Sequence, residues 1–390
     1  MKQQHLAALS CGAAAVSIRL TPMNSRTLHS RLCAGLAVAL QLVVAVFGVA
    51  GSAAAQEPAF KDPLDSPAKA VARPELRPAM AITRAGESLI AVGPRGLVIV
   101  SVDGGKSWQQ SAVPVQSDLV AVQFPVPDIG WIVGHDGVVL RSGDGGRTWL
   151  KQLDARSAGP QFRKFYQERA DAGDTAASKA LKLVAQNFKP GMALPYLDVW
   201  FENPNVGYAV GSYGLLIATV DGGQTWTPWF DRIDNEQLNL NGVRGINGDV
   251  LIVGEQGRVY RLDRDRGRFT AMSTGYAGSF FGLAGNANAT LAFGLRGVVY
   301  RADAKGSDWQ AIKTPSEATI AAGAVDPDHS RFLLVNGVGQ ILVGDSEGRS
   351  FVAVQPKQHM RLTGVLPLAD GSVAVTGLGG VTVETLPALR

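Results

Sequence analysis

Residues 131–149 read WIVGHDGVVLRSGDGGRTW, and this stretch contains both sequence elements that decide the fold. The first is an apolar run that ends at Gly134 and is followed by Gly137. The second is an Asp-Gly-Gly turn that leads to Trp149. Short apolar runs separated by glycine and aspartate turns are typical of β-strands, and the stretch has no helical apolar period. The pattern therefore predicts short strands joined by tight turns.

The same frame recurs seven times along the chain. With the last residue of the apolar run as position zero, the repeats are centred on Gly93, Gly134, Gly211, Gly254, Gly294, Asn336 and Thr376. Each has a glycine three residues later, and six have Trp or Phe fifteen residues later. The repeats are 40–43 residues apart, except that 77 residues separate the second from the third. Four strands per repeat predict a blade, so the chain is expected to be all-β, a seven-bladed β-propeller over residues 78–390.

The long second interval predicts a helical insertion between blades 2 and 3, over residues 154–195. Aromatic and basic residues at helical spacing indicate a first helix, and Asp174 can cap a second one. The apolar stripe of the second helix comprises Leu181, Val184, Ala185 and Phe188, and Pro190-Gly191 ends it. We expect this stripe to pack on the propeller, the alternative being that it awaits a partner helix. The insertion should leave from the rim that carries the Gly-x-x-Gly loops and cap or flank the pore.

The seventh repeat ends at Arg390, before its expected aromatic residue. A missing outer strand would leave an exposed sheet edge and an open ring. Residues 56–77 precede the first repeat and are predicted to supply that strand and close the last blade.

Residues 1–55 have the three parts of a secretory signal. Arg26 and Arg31 precede an apolar run from Leu32 to Val49, and Ala53 and Ala55 form a cleavage motif. The sequence predicts an exported protein that is periplasmic or lumenal and soluble after cleavage. A retained membrane anchor is the alternative, and translation starts at Met1 or Met23. Both cysteines, at positions 11 and 33, lie in this segment, so the mature chain has neither a disulfide nor a thiol nucleophile.

The composition argues against several classes of function. Four of the 37 basic residues and none of the 33 acidic residues lie in residues 1–55, so the remainder carries no net charge. We therefore expect no nucleic-acid partner. We also expect a monomer. The three histidines of the mature chain lie in three different repeats, and no phosphate-binding loop is present, so we expect no metal and no cofactor.

Three repeats carry the motif Ser/Thr-x-Asp-Gly-Gly-x-Ser/Thr-Trp, called an Asp-box: Ser101–Trp108, Ser142–Trp149 and Thr219–Trp226. We interpret its aspartate as a residue that fastens its own turn. Residues 78–385 combine these Asp-boxes with the Val-Gly-x-x-Gly element at fixed spacing. In this combination they resemble the family of photosystem II stability and assembly factors. The resemblance implies a seven-bladed propeller without enzymatic activity that assists the assembly or function of a membrane protein complex, whose subunits would be its partners. It also implies an arginine-rich surface, which this chain matches only in part.

The alternative is a carbohydrate-active propeller of sialidase type, because sialidases share the Asp-box. Resemblance to that class implies a tyrosine nucleophile with a glutamate partner, an arginine triad and a Phe-Arg-Ile-Pro element. The nearest string is Phe162-Arg163-Lys164-Phe165, which lies in the insertion and not on a first strand.

The residues inside the Gly-x-x-Gly loops are the candidate binding surface, since these loops emerge on one face of a rigid scaffold. The predicted partner-binding residues are Arg95, His135, Asp136, Tyr213, Glu255, Gln256 and Arg296. The alternative is that they are ordinary solvated turn residues. Arg141, Arg261 and Arg301 share one repeat position and form either a partial basic band or a protection against edge pairing.

Overall fold

The computed structural model describes residues 61–234 and 237–386, and over these ranges 27 strands form seven antiparallel sheets. Every sheet is built in chain order from the axis outward. The innermost strands are β1 Ala81–Ala85, β5 Leu119–Gln123, β9 Tyr196–Phe201, β13 Leu240–Ile246, β17 Phe280–Gly285, β21 Ile320–Asp326 and β25 Leu362–Pro367. The second strands are β2 Ser88–Gly93, β6 Gly130–Gly134, β10 Gly207–Gly211, β14 Asp249–Gly254, β18 Ala289–Gly294, β22 Arg331–Asn336 and β26 Ser372–Gly377.

The outer half of each blade follows the same order. The third strands are β3 Leu97–Ser101, β7 Val139–Ser142, β11 Leu216–Thr219, β15 Val259–Asp263, β19 Val299–Asp303, β23 Ile341–Gly344 and β27 Gly380–Thr385. The outermost strands are β4 Gln109–Gln110, β8 Leu150–Leu153, β12 Thr227–Pro228, β16 Arg268–Met272, β20 Gln310–Ile312 and β24 Phe351–Val354. The predicted seven-bladed propeller is confirmed.

The ring closes between blades 7 and 1. Each innermost strand contacts the innermost strands of both neighbouring blades, and β1 contacts β25 in the same way. The Ala79 N–H donates to the Gly377 carbonyl at 3.0 Å, and the Thr363 hydroxyl donates to the Ala79 carbonyl at 2.6 Å. Arg84 donates to the Pro367 carbonyl at 3.1 Å. Hydrogen bonds between the first and last blades therefore hold the ring shut.

The core lies between adjacent blades, because the second strands are buried on both faces and the third strands are mostly apolar. Between blades 1 and 2, Ile90, Ile132 and Leu140 are completely buried, and Trp149 packs in the same cluster. The aromatic residue after each Asp-box thus seals the gap to the preceding blade, where large rings contribute most of the buried apolar area.

The prediction that residues 56–77 donate an outer strand to the last blade is wrong for residues 61–77, and residues 56–60 lie outside the described part of the chain. Within the described residues, blade 7 has three strands. Residues 61–78, here called the N-terminal strap, instead contain two short 3₁₀ turns, Pro63–Asp65 and Pro74–Leu76. The prolines fix φ and remove N–H donors that a sheet edge would need.

The strap crosses the outside of blade 1. Leu64 is buried between blades 1 and 2, the Ala68 N–H donates to the Val113 carbonyl at 2.9 Å, and the Val71 N–H donates to Gln110 at 3.0 Å. At its far end the turn Pro74–Leu76 packs against β27. The strap therefore connects the junction of blades 1 and 2 to the exposed edge of blade 7 without extending any sheet.

The last repeat has its frame one residue later than predicted. The Leu378 N–H donates to the Arg361 carbonyl at 3.1 Å, which is the bond that the residue after position zero makes in other blades. Position zero is therefore Gly377, and the glycine three residues later is Gly380 with φ of +106°. The carbonyl of Glu75 lies so close to Gly380 that a side chain there would collide with it.

The insertion is a helical hairpin, as predicted. Helix α1 spans Ala155–Asp171 and α2 spans Thr175–Asn187. Asp154 and Ser157 form a reciprocal capping box at the start of α1, and Asp174 accepts from two backbone N–H groups of α2. Among the described residues, no helix is long and apolar enough to cross a membrane. The segment 1–55, predicted to be a signal, lies outside the described residues.

Candidate functional site

The Gly-x-x-Gly loops form tight turns whose second residue is left-handed. This residue is Arg95, Asp136, Tyr213, Gln256 or Arg296, with φ between +53° and +59°. The following glycine also has positive φ, and in four of these turns it touches the connection to the next blade. At Gly96, with φ of +73°, a Cβ would collide with the carbonyl of Val115. The turn therefore directs the second side chain outward while the glycine lets the backbone approach the neighbouring segment.

Hydrogen bonds to the next blade fix these turns. The Arg95 N–H donates to Asp118 Oδ1 at 2.8 Å, and the Tyr213 N–H donates to Asn239 Oδ1 at 2.9 Å. In blade 5 the Arg296 N–H donates to the Thr319 hydroxyl at 3.4 Å. Each acceptor precedes the innermost strand of the following blade. The turns are consequently rigid platforms for their side chains.

Five of the seven predicted binding residues project from this rim as free side chains. They are Arg95, His135, Tyr213, Gln256 and Arg296, all exposed, with Tyr213 at 52%. Within residues 61–234 and 237–386, none of these side chains makes a hydrogen bond or ion pair. The structure thus brings them to one face as predicted, and their binding role remains a prediction.

The two carboxylates among the predicted residues have structural partners. Asp136 accepts a hydrogen bond from the Ser117 hydroxyl at 2.7 Å. Glu255 accepts from both the backbone N–H and the side-chain amide of Asn239, at 2.8 and 3.2 Å. Both groups stabilise the rim connections. They are less available to a partner than the sequence suggested.

One rim arginine was not predicted from the sequence. Arg361 is exposed, and its guanidinium lies beside Gly337. The loop of blade 6 that contains Gly337 has no polar or aromatic side chain of its own at its two central positions, Gly337 and Val338. Arg361 precedes β25 as Asp118 precedes β5. The repeat frame extended to this position would have revealed it. With Arg95 and Arg296 it gives the rim three exposed arginines.

The arginines at the shared position on the third strands do not form a free basic band. Arg261 donates to the carbonyls of Lys305 and Gly306 in the next blade, and Arg301 donates to the Glu347 carbonyl at 2.5 Å. Arg141 instead lies over the ring of Trp131, with its guanidinium carbon 5.8 Å from the ring centroid. In blades 4 and 5 this position ties a third strand to the turn of the following blade.

The Asp-box aspartates fasten their turns. In blade 2, Asp144 accepts from the backbone N–H groups of Arg147 and Thr148, both at 3.0 Å, and from the Thr148 hydroxyl at 2.6 Å. Partial burial acts to raise its pKa, but the hydrogen bonds from Thr148, Ser142 and Arg147 outweigh burial and lower the pKa overall. Asp303 and Asp345 make comparable bonds in blades 5 and 6, whose motifs are degenerate. These carboxylates are held as acceptors within their own turns.

The central channel does not assemble a sialidase-type site within the described residues. It is lined by the innermost strands of all seven blades and has a volume of about 160 Å³. Among the described residues that line it, Arg244 is the single arginine and pairs with Asp198 at 2.7 Å, and neither tyrosine nor glutamate is present. The string Phe162–Phe165 lies on α1, away from the channel. Over the same described residues, no group of three or more metal-ligating side chains is present.

The insertion packs on its own propeller and flanks the rim instead of capping the channel. Phe162 and Tyr166 of α1 and Val184 of α2 are completely buried. They share one apolar cluster with the buried Phe230, which follows the outermost strand of blade 3. The buried face of α2 is Ala177, Ala180, Val184 and Asn187. The predicted stripe was therefore rotated, since Ala185 is exposed and Leu181 and Phe188 are half-buried. No insertion residue lines the central channel.

Polar contacts lock the hairpin in place. The Tyr166 hydroxyl donates to Asp231 at 2.8 Å and accepts from the Phe230 N–H at 2.9 Å. Burial, followed by the charge of Asp231, raises the pKa of Tyr166 far above its ordinary value. Arg169 bridges Asp231 and Asp174, with 2.6 Å to each. At the rim, the Asn187 amide donates to the Tyr213 carbonyl at 3.1 Å, so α2 adjoins the exposed Tyr213.

Comparisons with known proteins agree with this architecture. Three solved structures superimpose over most of the chain. The one described as YCF48 bound to D1 peptide is 14% identical, with a TM-score of 0.59, covering 84% of this chain and 98% of that one. YCF48 from Cyanidioschyzon merolae is 18% identical, with a TM-score of 0.57 and coverages of 83% and 99%. The WD40 β-propeller domain of Doa1 is 9% identical, with a TM-score of 0.59 and coverages of 83% and 97%.

At these identities the structural matches show the fold alone, and no curated protein matches the sequence. The sequence itself carries the assignment. Residues 80–160 and 177–361, more than half of the chain, match the family model described as Photosynthesis system II assembly factor YCF48. The chain therefore belongs to the family of the assembly factor YCF48, as the Asp-boxes and the Gly-x-x-Gly frame indicated.

Proposed function

We propose that this protein is an exported, non-enzymatic assembly factor that binds a subunit of a membrane protein complex through its rim. The observation that carries the proposal is the set of exposed rim side chains on hydrogen-bonded turns, above all Arg95, Tyr213 and Arg296. Arginine and tyrosine are the residue types that most often contribute interface energy. Because their backbones are already fixed, little ordering of the turns would oppose binding.

Family membership supports the choice of partner. A structurally similar protein is described as YCF48 bound to D1 peptide. The present chain presents three exposed arginines on its rim, so a partner segment with carboxylates suits this surface.

Export is the second part of the proposal. A basic stretch, an apolar run and small residues before position 56 have the order of a cleavable secretory signal. N-terminal sequencing of the protein purified from its native cells tests this. The expected first residue is Gln56, whereas an N-terminus at Met1 or Met23 in a membrane fraction would indicate a retained anchor.

Capture from detergent-solubilised membranes tests the binding role. The triple variant R95A/Y213A/R296A is expected to lose most of the captured membrane protein while its melting temperature stays within a few degrees of the parent. The matched control V102A/R147A/R349A removes three exposed residues from the Asp-box turns on the other face. Equal capture by the parent and both variants would contradict a rim interface.

A further inference from the structure

A cleft of about 830 Å³ lies between α1, the loop after α2 and the N-terminal strap. Its volume is in the range of roughly 300–1,000 Å³ in which protein pockets enclose ligands. The apolar residues lining it include Leu64 from the strap, Pro160 from α1, and Phe188 and Met192 from the end of the insertion. Met192 is 40% exposed, so part of the apolar lining is uncovered.

Two cations at this cleft lack an anion. Arg163 and Lys189 line it, both are exposed, and neither side chain has an ion pair or hydrogen bond within the described ranges 61–234 and 237–386. Lys164 is 3.9 Å from Glu168, a distance at which an exposed pair contributes little. Arg156, by contrast, already has an anionic partner, since its guanidinium pairs with both carboxylate oxygens of Asp65 at 2.7 and 2.8 Å.

The carboxylates that line the cleft are already engaged. Asp62 accepts from the Leu64 N–H at 2.9 Å and lies 3.6 Å from Arg156. Asp136 accepts from the Ser117 hydroxyl. Neither acid forms an ion pair with Arg163 or Lys189. The uncompensated charge of the cleft is therefore positive, beside an apolar surface.

The cleft is built on a rigid element, part of which lies outside the family match. The match to the family model is interrupted over residues 161–176, which include Arg163. That same stretch is anchored by the buried side chains of Phe162 and Tyr166. A cleft on an anchored helix keeps its shape without a ligand, which lowers the cost of binding.

We propose that this cleft is a docking site for an acidic peptide, an extended segment in which carboxylates flank an apolar side chain. The carboxylates would pair with Arg163 and Lys189, and the apolar side chain would contact Phe188 and Met192. A concave surface favours a peptide over a lipid bilayer, which is bound by apolar residues that protrude. The site goes beyond the rim interface and does not depend on it.

Fluorescence anisotropy with a labelled peptide, Gly-Asp-Glu-Leu-Phe-Glu-Asp-Gly, tests the proposal. The purified protein is expected to bind it saturably, and the same peptide with lysine at the four acidic positions is expected not to bind. R163E/K189E should weaken binding about tenfold or more, because two attractive contacts become repulsive. The control K179E/K182E makes the same charge change at two exposed lysines of α2 that do not line the cleft, and it should bind like the parent.

Several results would overturn the proposal: no binding of the acidic peptide by the parent, equal binding of the lysine peptide, or equal weakening in both variants. Binding to phosphatidylglycerol vesicles that displaces the peptide would assign the cleft to a membrane surface. Sedimentation as a dimer that R163E/K189E alone dissociates would assign it to a second copy. Melting curves of both variants establish that they are folded, and the rim variant R95A/Y213A/R296A should retain peptide binding.

Discussion

Replacing Tyr166 with phenylalanine tests how the insertion is held on the propeller. The change keeps the buried ring but removes the hydroxyl that donates to Asp231 at 2.8 Å and accepts from the Phe230 N–H at 2.9 Å. The Phe230 N–H would then be buried without its acceptor, which costs about 1–3 kcal/mol. The lost bond to a charged carboxylate adds about 1 kcal/mol or more. We expect a total destabilisation of about 2–4 kcal/mol.

Urea unfolding, followed by tryptophan fluorescence, gives the magnitude. Limited proteolysis shows where the loss occurs, since an insertion that undocks first would be cleaved between residues 154 and 195 before the blades. Tyr213→Phe is the matched control, because its hydroxyl has no partner among the described residues and its removal should change stability by less than about 0.5 kcal/mol. Equal stability of the two variants would refute the role of the Tyr166 hydroxyl as an anchor.

Three further predictions concern the propeller itself. Asp144→Ala should lower the free energy of unfolding by about 1–2 kcal/mol through unpaired turn N–H groups and leave membrane capture intact. The control Asp265→Ala, at an exposed turn, should leave stability unchanged. Loss of capture at normal stability in Asp144→Ala would show that Asp144 has a binding role. Because hydrogen bonds lower the folded pKa of the Asp-box carboxyls, their stabilisation is complete above the unfolded pKa of about 3.9 and is lost as pH falls through the folded values. Melting temperatures should therefore be flat near neutral pH and fall below about pH 4, and a flat profile to lower pH would contradict this linkage. Leu64→Ala should cost about 2–5 kcal/mol by leaving a cavity between blades 1 and 2, and an unchanged unfolding curve would show that the strap does not support the ring.

The repeat frame was predictable because its turns need particular residues. A glycine with positive φ that touches the neighbouring blade recurs three residues after position zero, and the spacing of these glycines indicated the number of blades. The frame failed by one residue in blade 7, where Gly377, Gly379 and Gly380 make two alignments equally good. The sequence could not choose between them, since the deciding hydrogen bond joins the Leu378 N–H to the carbonyl of Arg361, seventeen residues earlier in the chain.

The strap and the site depend on contacts that have no sequence period. Residues 61–78 adopt a path set by single hydrogen bonds to blade 1 and by Leu64, and only the prolines hinted that no strand would form. The Glu255 carboxylate accepts a hydrogen bond from Asn239, which lies sixteen residues earlier in the chain. No sequence pattern indicates this contact, so Glu255 was predicted to be available to a partner. Helix α2 was located correctly, but its buried face was not. That face includes Ala177 and Ala180, and the apolar pattern cannot distinguish these alanines from the exposed Ala185.

Site-specific photo-cross-linking tests the central claim most directly. A benzophenone side chain at position 213 reports on the rim, and one at position 102, where Val102 is 78% exposed, reports on the Asp-box face. In intact cells the rim probe is expected to cross-link to one membrane protein identified by mass spectrometry, and the probe at position 102 is not. Cross-linking to that protein only from position 102, or to no membrane protein from position 213, would contradict the assignment of the rim as the partner-binding face.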